Sequence, residues 1–346
     1  MKHQTTRYGE IPFYKIGTFG NTADAFISKK LFLEYKTKYS FPKKGDILIS
    51  ASGTIGRAVI YDGKPAYFQD SNIVWIDNDE TLVKNDFLFY AYSNVKWNTE
   101  HTTILRLYND NFRNTLIPLP PLNEQSAIAN ILSALDRYLY ALDALILKKE
   151  GVKKALSFEL LSQRKRLRGF NQAWQRVRLG DIANYLTSNL SAEQITQQGK
   201  IKVYDVNNFI GYTDTTFISD KPYISIVKDG SVGRVRILPP KTNILSTMGA
   251  LIANHRTTTE FLFYLLSNFD FKNFTSGSII LHIYFKDYKE KTIFLPPLNE
   301  QIAIANILSA LDNEIASLKN KKRQFENIKK ALNHDLMSAK IRVLEK

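Results

Sequence analysis

Two glycine-rich turns, each followed by an arginine, are the residues best suited to contact a ligand. Residues 52–57 read SGTIGR, and residues 229–234 read DGSVGR, 177 positions later. Glycines let a backbone approach a ligand closely, and the arginine can form a bidentate contact with a phosphate or a guanine edge. A single Gly-x-x-Gly is more often only a hairpin turn. Its recurrence in a basic protein predicts contact with nucleic acid, through a set of basic and polar side chains in and beside the turns: Lys43, Lys44, Ser52, Thr54, Arg57, Lys228, Ser231 and Arg234.

A second pair of matching segments mixes polar and apolar residues. Residues 102–108 (TTILRLY) align with residues 278–284 (SIILHIY). The pattern is typical of a loop that presents polar side chains outward from a packed base, although an irregular strand with surface polar residues fits equally. We add the polar members of both segments to the candidate nucleic-acid site: Thr102, Arg106, Tyr108, Ser278 and His282.

No group of residues predicts catalysis. The chain has no cysteine, and its five histidines lack metal-ligand spacing. It also has no Gly-x4-Gly-Lys-Ser/Thr loop, no Asn/Asp-Pro-Pro-Tyr/Phe motif, and no glycine-rich turn placed to hold S-adenosylmethionine. Residues 34–36 (EYK) resemble a fragment of a nuclease Glu-x-Lys, but a surface pair is the simpler interpretation. We therefore expect neither an enzyme nor a bound cofactor or metal.

The charge of the chain indicates a polyanionic partner. The net charge is +14, and it is spread along the sequence, as an extended footprint on DNA or RNA requires. Ordinary solubility is the alternative explanation. The sequence has no apolar run of membrane-spanning length and no signal peptide, so we expect a cytoplasmic protein without a membrane partner.

An internal duplication organises the chain around these candidate sites. Residues 119–136 read LPPLNEQSAIANILSALD, and residues 295–312 differ from them at a single position, Ser126 against Ile302. Each copy predicts a helix start, because its two prolines require an extended entry. Asn123 is then suited to cap the helix, with Glu124 at its first position near the positive end of the helix dipole.

The residues after each copy follow the 4-3 spacing of a helix seam. Eight of ten seam positions are apolar in each copy, and lysines occupy the remaining positions. This predicts two long antiparallel helices that pack on each other, the first about 69 Å long if it continues to Arg168. The lysine pairs of the first helix, including Lys149 and Lys153, are most simply a solvated face.

Packing in a core does not explain why the two helix starts are nearly identical. A pair of core helices needs only an apolar pattern, whereas identity suggests that both copies bind the same surface on identical partners. The predicted partner-binding residues are the matching proline, leucine, asparagine, glutamate and glutamine positions: Pro120, Pro121, Leu122, Asn123, Glu124, Gln125, Pro296, Pro297, Leu298, Asn299, Glu300 and Gln301.

The segments that precede the two helices also resemble each other. Residues 87–94 (FLFYAYSN) predict a short helix and match residues 261–268 (FLFYLLSN). In the first segment, residues 47–49 and 73–76 predict buried strands, and residues 117–119 (IPL) predict a short edge strand that leads into the repeat. We predict an α+β protein with two related domains joined by two long antiparallel helices in a pseudo-twofold arrangement. The expected boundaries are 1–118 for the first domain, 119–169 for the first helix, 170–294 for the second domain and 295–346 for the second helix.

The whole chain resembles the specificity (S) subunits of type I restriction–modification systems. The resemblance rests on the two LPPLNEQ segments with their helices, the paired variable domains, the paired Gly-x-x-Gly-Arg turns, and the opening of the second domain at residues 174–182 (WQRVRLGDI). It implies that each variable domain is a target recognition domain for one half of a bipartite DNA sequence. The helices would act as a spacer and would dock two methyltransferase (M) subunits, which carry S-adenosylmethionine. A restriction (R) subunit can join such complexes, and the S subunit itself is non-catalytic.

The start of the first domain departs from the family pattern. Its sequence begins almost directly at Gly9, so it lacks roughly the first twenty-five residues of its counterpart. We expect a shortened or incomplete first domain. An autonomous DNA-binding regulator and a coiled-coil adaptor without DNA affinity are the competing hypotheses.

Overall fold

The computed structural model describes residues 4–68, 72–97 and 106–344. The chain forms two compact units. The first combines Met1–Asp143 with Asn320–Lys346, and the second consists of Ala144–Lys319. Each long helix therefore contributes one part to each unit.

The described residues of the first unit include two three-stranded sheets and three short helices. In one sheet the order is β2-β1-β5, with β5 parallel to β1, and in the other it is β4-β3-β6. The predicted strands at 47–49 and 73–76 are confirmed as β3 and β6, but only β3 is buried along its length, because Ile73 is the one buried residue of β6. Glu34 lies exposed on α1. In chain order, the elements are β1 (Ile11–Tyr14), β2 (Ala25–Ile27), α1 (Lys29–Lys38), β3 (Ile47–Ser50), β4 (Ala58–Ile60), β5 (Tyr67–Phe68), β6 (Ile73–Trp75), α2 (Asn85–Tyr92) and α3 (Asn109–Arg113).

The first long helix, α4, spans Leu122–Leu161. Its 40 residues make it about 60 Å long, and it ends before the predicted Arg168. Its first helical residue, Leu122, lies two residues before the predicted Glu124, because the N–H of Gln125 donates to the carbonyl of Pro121 at 2.9 Å. Asn123 therefore lies inside the first turn, where its Oδ1 accepts from the N–H of Glu124 at 2.9 Å. The prediction of Asn123 as the capping residue is wrong.

The second unit has the same two kinds of sheet and additional strands. One sheet has the order β10-β9-β13, and a four-stranded sheet has the order β12-β11-β14-β8. The elements are β7 (Gln175–Arg178), β8 (Ala183–Thr187), β9 (Ile201–Tyr204), β10 (Phe209–Thr213), β11 (Tyr223–Val227), β12 (Val235–Leu238), β13 (Thr242–Ile244), β14 (Met248–Ala253), α5 (Thr259–Ser267), β15 (Thr275–Ser276), β16 (His282–Ile283), α6 (Phe285–Tyr288), β17 (Thr292–Leu295) and α7 (Leu298–Met337).

The two units share one topology, as the sequence predicts. In each, a central strand (β1 or β9) has an antiparallel neighbour on one side and a parallel neighbour on the other. In each, a second sheet is built around a strand that directly precedes a Gly-x-x-Gly-Arg turn (β3 or β11). The prediction of an α+β protein with two related domains is confirmed.

Within each unit, parts of the two long helices pair in opposite directions. In the first unit Lys329 pairs with Asp136 and Lys322 with Asp143, at 2.5 and 2.7 Å. In the second unit Lys149 pairs with Glu314 at 2.8 Å, and Lys153 pairs with Asp312. The predicted solvated face is therefore wrong for Lys149 and Lys153, which are half-buried ion-pair partners. The apolar seam residues are confirmed as buried or half-buried: Ile128, Leu132, Leu135, Leu139, Leu142, Ile146, Leu156, Leu160, Ile304, Leu308, Leu311, Ile315, Leu318, Phe325, Leu332 and Leu336.

A tyrosine from each unit's domain is fixed to the same helix aspartates. Tyr90 Oη donates to Asp136 at 2.7 Å, and Tyr264 Oη donates to Asp312 at 2.8 Å. Burial and these bonds to a carboxylate raise the pKa of both tyrosines well above the usual value. Each aspartate thus accepts a hydrogen bond from a tyrosine of its domain and pairs with a lysine of the opposing helix. These two partners explain why a charged residue lies beside the apolar seam.

Residues 117–119 do not form the edge strand that the sequence predicts. The matching residues of the second unit form β17, which pairs with β7. Among the described residues of the first unit, no strand occupies the position of β7, so residues 115–121 have no regular structure. A strand needs a partner for its backbone groups, and this one lacks it.

Candidate nucleic-acid interface

Each Gly-x-x-Gly-Arg motif forms a tight turn at the end of a buried strand. In the first unit the N–H of Gly56 donates to the carbonyl of Ser50 at 3.0 Å, and in the second the N–H of Gly233 donates to the carbonyl of Val227 at 2.9 Å. The N–H of Ser50 also donates to the carbonyl of Arg57, and the N–H of Val227 donates to that of Arg234, each at 2.9 Å. The turns therefore hold Arg57 and Arg234 at equivalent positions.

The second glycine of each turn is required by the fold. Gly56 and Gly233 have φ values of +79° and +81°, a region that side chains with a Cβ rarely adopt. An aromatic ring also covers each one, since an added Cβ would lie 2.3 Å from Trp97 Nε1 or 2.7 Å from Phe271 Cδ2. The recurrence of this glycine thus has a packing cause that does not depend on a ligand.

We expect Gly233→Ala to destabilise the second unit more than Gly230→Ala, by about 1–3 kcal/mol. Both positions have positive φ, so both substitutions carry similar backbone strain. Only Gly233 has a ring against it, whereas the space beside Gly230 is open. Hydrogen exchange of β11 and β12 in increasing denaturant measures the difference. Equal effects would show that Phe271 yields to the new methyl group.

The second pair of predicted segments lies directly against the turns. In the first unit, residues 52 and 106 form an isolated β-bridge, and the N–H of Leu107 donates to the carbonyl of Ala51 at 2.8 Å. In the second, residues 229 and 282 form the matching bridge, and the N–H of Ile283 donates to the carbonyl of Lys228 at 2.9 Å. Each unit thus brings its two candidate segments together.

Both arginines are exposed and anchored through one end of the guanidinium. Arg57 Nη1 donates to the carbonyl of Phe19 at 2.9 Å, and Arg234 Nη2 donates to Asn207 Oδ1 at 2.8 Å. A guanidinium has five N–H donors, so each arginine keeps donors for a phosphate or a base edge. Anchoring reduces the conformational entropy that such a contact would cost.

His282 is oriented by a carboxylate beside the second turn. Its Nδ1 lies 2.7 Å from Asp229 Oδ1, and its ring is parallel to that of Tyr284, with centroids 6.3 Å apart. Arg106, its counterpart, is exposed. The two units therefore present different side chains at the same position.

The remaining predicted residues differ in exposure. Ser52 is buried and donates to Asn72 Oδ1 at 2.7 Å, so its observed contact is within the fold. Lys43 is paired with Asp77 at 3.2 Å. Lys228 is half-buried, and Thr102 lies outside the described residues. The members that are exposed are Lys43, Lys44, Thr54, Tyr108, Ser231 and Ser278.

The buried members of the predicted partner-binding set bind within their own units. Gln125 Nε2 donates to the carbonyls of Leu82 and Pro120, and Gln301 Nε2 donates to those of Arg256 and Pro296, at 2.8–2.9 Å. Both glutamines, with Glu124 and Glu300, are at most 5% exposed. These contacts fix each helix start to its domain.

The two glutamates are held by arginines at equivalent positions. Arg342 forms a bidentate contact with Glu124, and Arg166 forms one with Glu300. In the second unit Trp174 Nε1 also donates to Glu300, at 3.0 Å. The hydrogen bonds from Arg342 lower the pKa of the Glu124 carboxyl, which therefore stays ionised at neutral pH.

Comparison with known families identifies the type of protein. The family model described as the type I restriction modification DNA specificity domain matches the chain twice, over residues 1–149 and 171–327. The chain belongs to this family. It is a specificity subunit with two DNA specificity domains, as the resemblance implies.

Proteins similar to this specificity subunit occur in Haemophilus influenzae and Methanocaldococcus jannaschii. A Haemophilus influenzae protein named as a type I restriction enzyme specificity subunit is 65% identical over 133 residues, which are 38% of this chain and only 34% of that protein. The MjaVIII specificity subunit of Methanocaldococcus jannaschii is 26% identical over 362 residues, covering 92% of this chain and 84% of that one. The crystal structure of the S subunit from M. genitalium has the same fold, with a TM-score of 0.64 at 20% identity over 97% of this chain and 91% of that chain.

A basic residue beside the second turn, Arg236, was not among the predicted site residues of this specificity subunit. Arg236 lies over the ring of Tyr204 at 5.2 Å, and its Nη1 donates to the carbonyl of Asn207 at 2.9 Å. Asn207 thus binds both Arg234 and Arg236. The alternating arginines of residues 234–236 (RVR) were a signal for a basic strand beside the turn.

Within residues 4–68, 72–97 and 106–344, no helix combines the length and apolar character that a membrane crossing requires.

Proposed function

We propose that each unit of this specificity subunit reads one half of a bipartite DNA sequence through the surface around its Gly-x-x-Gly-Arg turn. The observation that carries the proposal is the repeated arrangement of a turn, an anchored arginine and a bridged second segment. Equivalent frames with different side chains, such as Arg106 against His282, suit two half-sequences that differ. Basic residues beside the turns would bind phosphates and set the register on the duplex.

The helix starts are proposed to dock two methyltransferase subunits. Internal contacts account for Glu124, Gln125 and their counterparts, but several positions of the repeat are identical and also exposed. They recur with spacings of seven and four, which puts them on one face of each helix: Asn123, Asn130 and Ala134 on α4, and Asn299, Asn306 and Ala310 on α7. Two identical exposed faces fit two identical partners.

Chemistry is assigned to the partners. On this proposal the chain is non-catalytic, the methyltransferase subunits bind S-adenosylmethionine, and a restriction subunit joins the same complex in the cytoplasm. The chain contributes recognition of DNA through side chains that contact phosphates and base edges.

Ala134→Arg should reduce the stoichiometry from two methyltransferase subunits per chain to one, and Ala134→Arg with Ala310→Arg should abolish binding. Both alanines are exposed, so the larger charged side chain interferes with a partner and not with the fold. Native mass spectrometry of the co-expressed complex measures the ratio. Tyr140→Arg is a matched control, because it is exposed but lies outside the repeat. A wild-type complex that never exceeds one to one would contradict the proposal.

Co-expression with a cognate methyltransferase, followed by genome-wide mapping of methylated bases, tests DNA recognition directly. The expected result is methylation confined to one bipartite sequence. Sequence-specific binding by the chain alone, at physiological salt and without methylation, would favour an autonomous regulator. An absence of salt-dependent DNA affinity would favour a coiled-coil adaptor.

A further inference from the structure

A histidine–aspartate pair joins the second unit's turn to its second candidate segment. Residues 229 and 282 form an isolated β-bridge, and His282 Nδ1 lies 2.7 Å from Asp229 Oδ1. The His282 side chain is 34% exposed and that of Asp229 is 27% exposed, so each is partly enclosed by the protein and partly open to solvent. A ligand that contacts the turn can therefore reach this pair.

The pair determines which nitrogen of a neutral His282 carries the proton. A carboxylate can only accept a hydrogen bond, so Nδ1 donates to Asp229. In a neutral imidazole the other nitrogen, Nε2, is then an acceptor. Among the residues that the structure describes, none hydrogen-bonds to Nε2, and this atom is open to solvent. His282 thus offers an outside group one hydrogen-bond acceptor.

The direction of this acceptor is fixed by the neighbours of the ring. The His282 ring lies 17° from parallel to the ring of Tyr284, with centroids 6.3 Å apart. On the preceding strand, Gly277 has a φ of +94°, and a Cβ there would lie 3.2 Å from His282 Cδ2. Because Nδ1 is also held by Asp229, the ring has little freedom left to lose when it contacts a ligand.

His282 lies on a hairpin that projects from the second unit. β15 and β16 form a two-stranded sheet, and Ile279 and Ile280 at its tip are 95% and 57% exposed. The hairpin is tied to the turn, since the N–H of Gly230 donates to the carbonyl of Leu281 at 2.8 Å. A two-stranded ribbon fits the major groove of B-DNA, and apolar side chains there contact thymine methyl groups. The shape and the exposed tip therefore favour the major groove as the place that His282 reaches.

Cations beside the hairpin suit a polyanion. Lys286 Nζ lies 5.6 Å from the centroid of the Tyr284 ring. Lys272 and Arg234 line one open cavity of about 550 Å³ together with Leu281 of the hairpin. All three cations are exposed, so they can bind phosphates while the hairpin contacts base edges.

We propose that His282 reads an amino group of one base in the second half of the DNA target, with Asp229 as its positioning residue, an inference that rests on the proposed function. Nε2 accepts from adenine N6 or cytosine N4 in the major groove. Guanine O6 or thymine O4 at the same place would face Nε2 with a second acceptor. Loss of the hydrogen bond should disfavour these two bases by roughly tenfold.

The first unit presents the opposite chemistry at this position. In the equivalent bridge Ser52 matches Asp229, and Arg106 matches His282. An arginine only donates hydrogen bonds, and its preferred base contact is with O6 and N7 of guanine. The two units thus differ in the direction of one hydrogen bond, which predicts how an exchange of the pair changes the target.

Asp229→Asn tests the positioning role with little change of shape. An amide offers a donor and an acceptor, so His282 can then carry its proton on either nitrogen. The co-expressed complex methylates duplexes that vary each second-half position in turn, at about pH 8, where imidazoles are mainly uncharged. We expect the preference at one base pair to fall by roughly tenfold and the other preferences to stay unchanged. Asp270→Asn is the matched control, because it removes the same charge from an exposed residue near the turn.

Asp229→Ser with His282→Arg installs the residues of the first unit. Every base pair has one amino group in the major groove, on its adenine or its cytosine. Guanine should replace that adenine or cytosine on the same strand, because arginine donates where histidine accepts. The same set of duplexes measures the change.

Each outcome decides the proposal. Relaxation at one base pair in Asp229→Asn, with guanine selected by the double variant, supports it. An unaltered preference in Asp229→Asn, or an equal loss of methylation on all duplexes, would mean that the pair is only structural and would overturn it. Selection of another base by the double variant would overturn the contact with an amino group, and if that variant is inactive, Asp229→Asn decides alone. Methylation without any sequence preference by the wild-type complex would instead contradict the proposed function, and this inference with it.

Discussion

Gln301→Met is expected to destabilise the second unit by about 3 kcal/mol. The side chain is completely buried, and its amide makes four hydrogen bonds. Its Oε1 accepts from the Thr257 hydroxyl and from the N–H of Thr258, the residue that caps α5. Methionine has a similar length but no amide, so these groups and two carbonyls would remain buried without partners.

Hydrogen exchange in increasing denaturant measures this effect within one molecule. We expect earlier opening of α5 in the variant, while α2 of the first unit provides an internal reference. Ile302→Ser is the matched control, because it installs the residue of the first copy at an exposed neighbouring position and should change stability by less than about 0.5 kcal/mol. If Gln301→Met were as mild as this control, water would have to replace the amide at the helix start.

The buried contacts of Gln301 and its counterpart Gln125 change the interpretation of the duplicated helix start. The sequence suggests that near-identity reflects identical partners, yet Glu124, Gln125, Glu300 and Gln301 are buried in contacts within their own units. Part of the identity therefore comes from docking two related domains onto two helices. Only the identity of exposed positions, such as Asn130 and Ala134, still has to be explained by binding to a partner.

Patterns that depend on local periodicity were predictable. The seam positions, the helix at 87–94 and the strands at 47–49 and 73–76 follow from spacing, because side chains three or four apart share a helix face and apolar runs form strands. The relation between the two domains was also readable, since short motifs recur at nearly constant offsets. These signals do not require knowledge of distant contacts.

Features that depend on distant partners were not predictable. Nothing in the sequence around Ser52 indicates that Arg106 lies beside it, because the bridge joins segments that are far apart in sequence. The failed strand at 117–119 has the same origin, since its propensity resembles that of β17 and only its partner differs. The lysines of the seam were misjudged because their acidic partners lie on the other helix.

Arg57→Ala and Arg234→Ala should each weaken DNA binding by about 1–3 kcal/mol if the arginine is bidentate to a base. This corresponds to a roughly 5- to 150-fold loss of affinity. Because each arginine belongs to one unit, each substitution should relax recognition in only one half of the target sequence. Methylation mapping with the co-expressed methyltransferase subunit shows which half is affected, and titration with a duplex of that sequence gives the affinity.

Arginine-to-lysine variants separate base reading from phosphate binding. Lysine keeps the charge but loses the planar pair of donors, so Arg57→Lys should behave like Arg57→Ala if the contact is to a base edge. If the contact is to a phosphate, lysine should restore most of the affinity and leave the methylated sequence unchanged. Retained affinity and an unaltered methylation pattern in Arg57→Ala, Arg234→Ala, Arg57→Lys and Arg234→Lys would mean that these arginines act only within the fold, through Phe19 and Asn207.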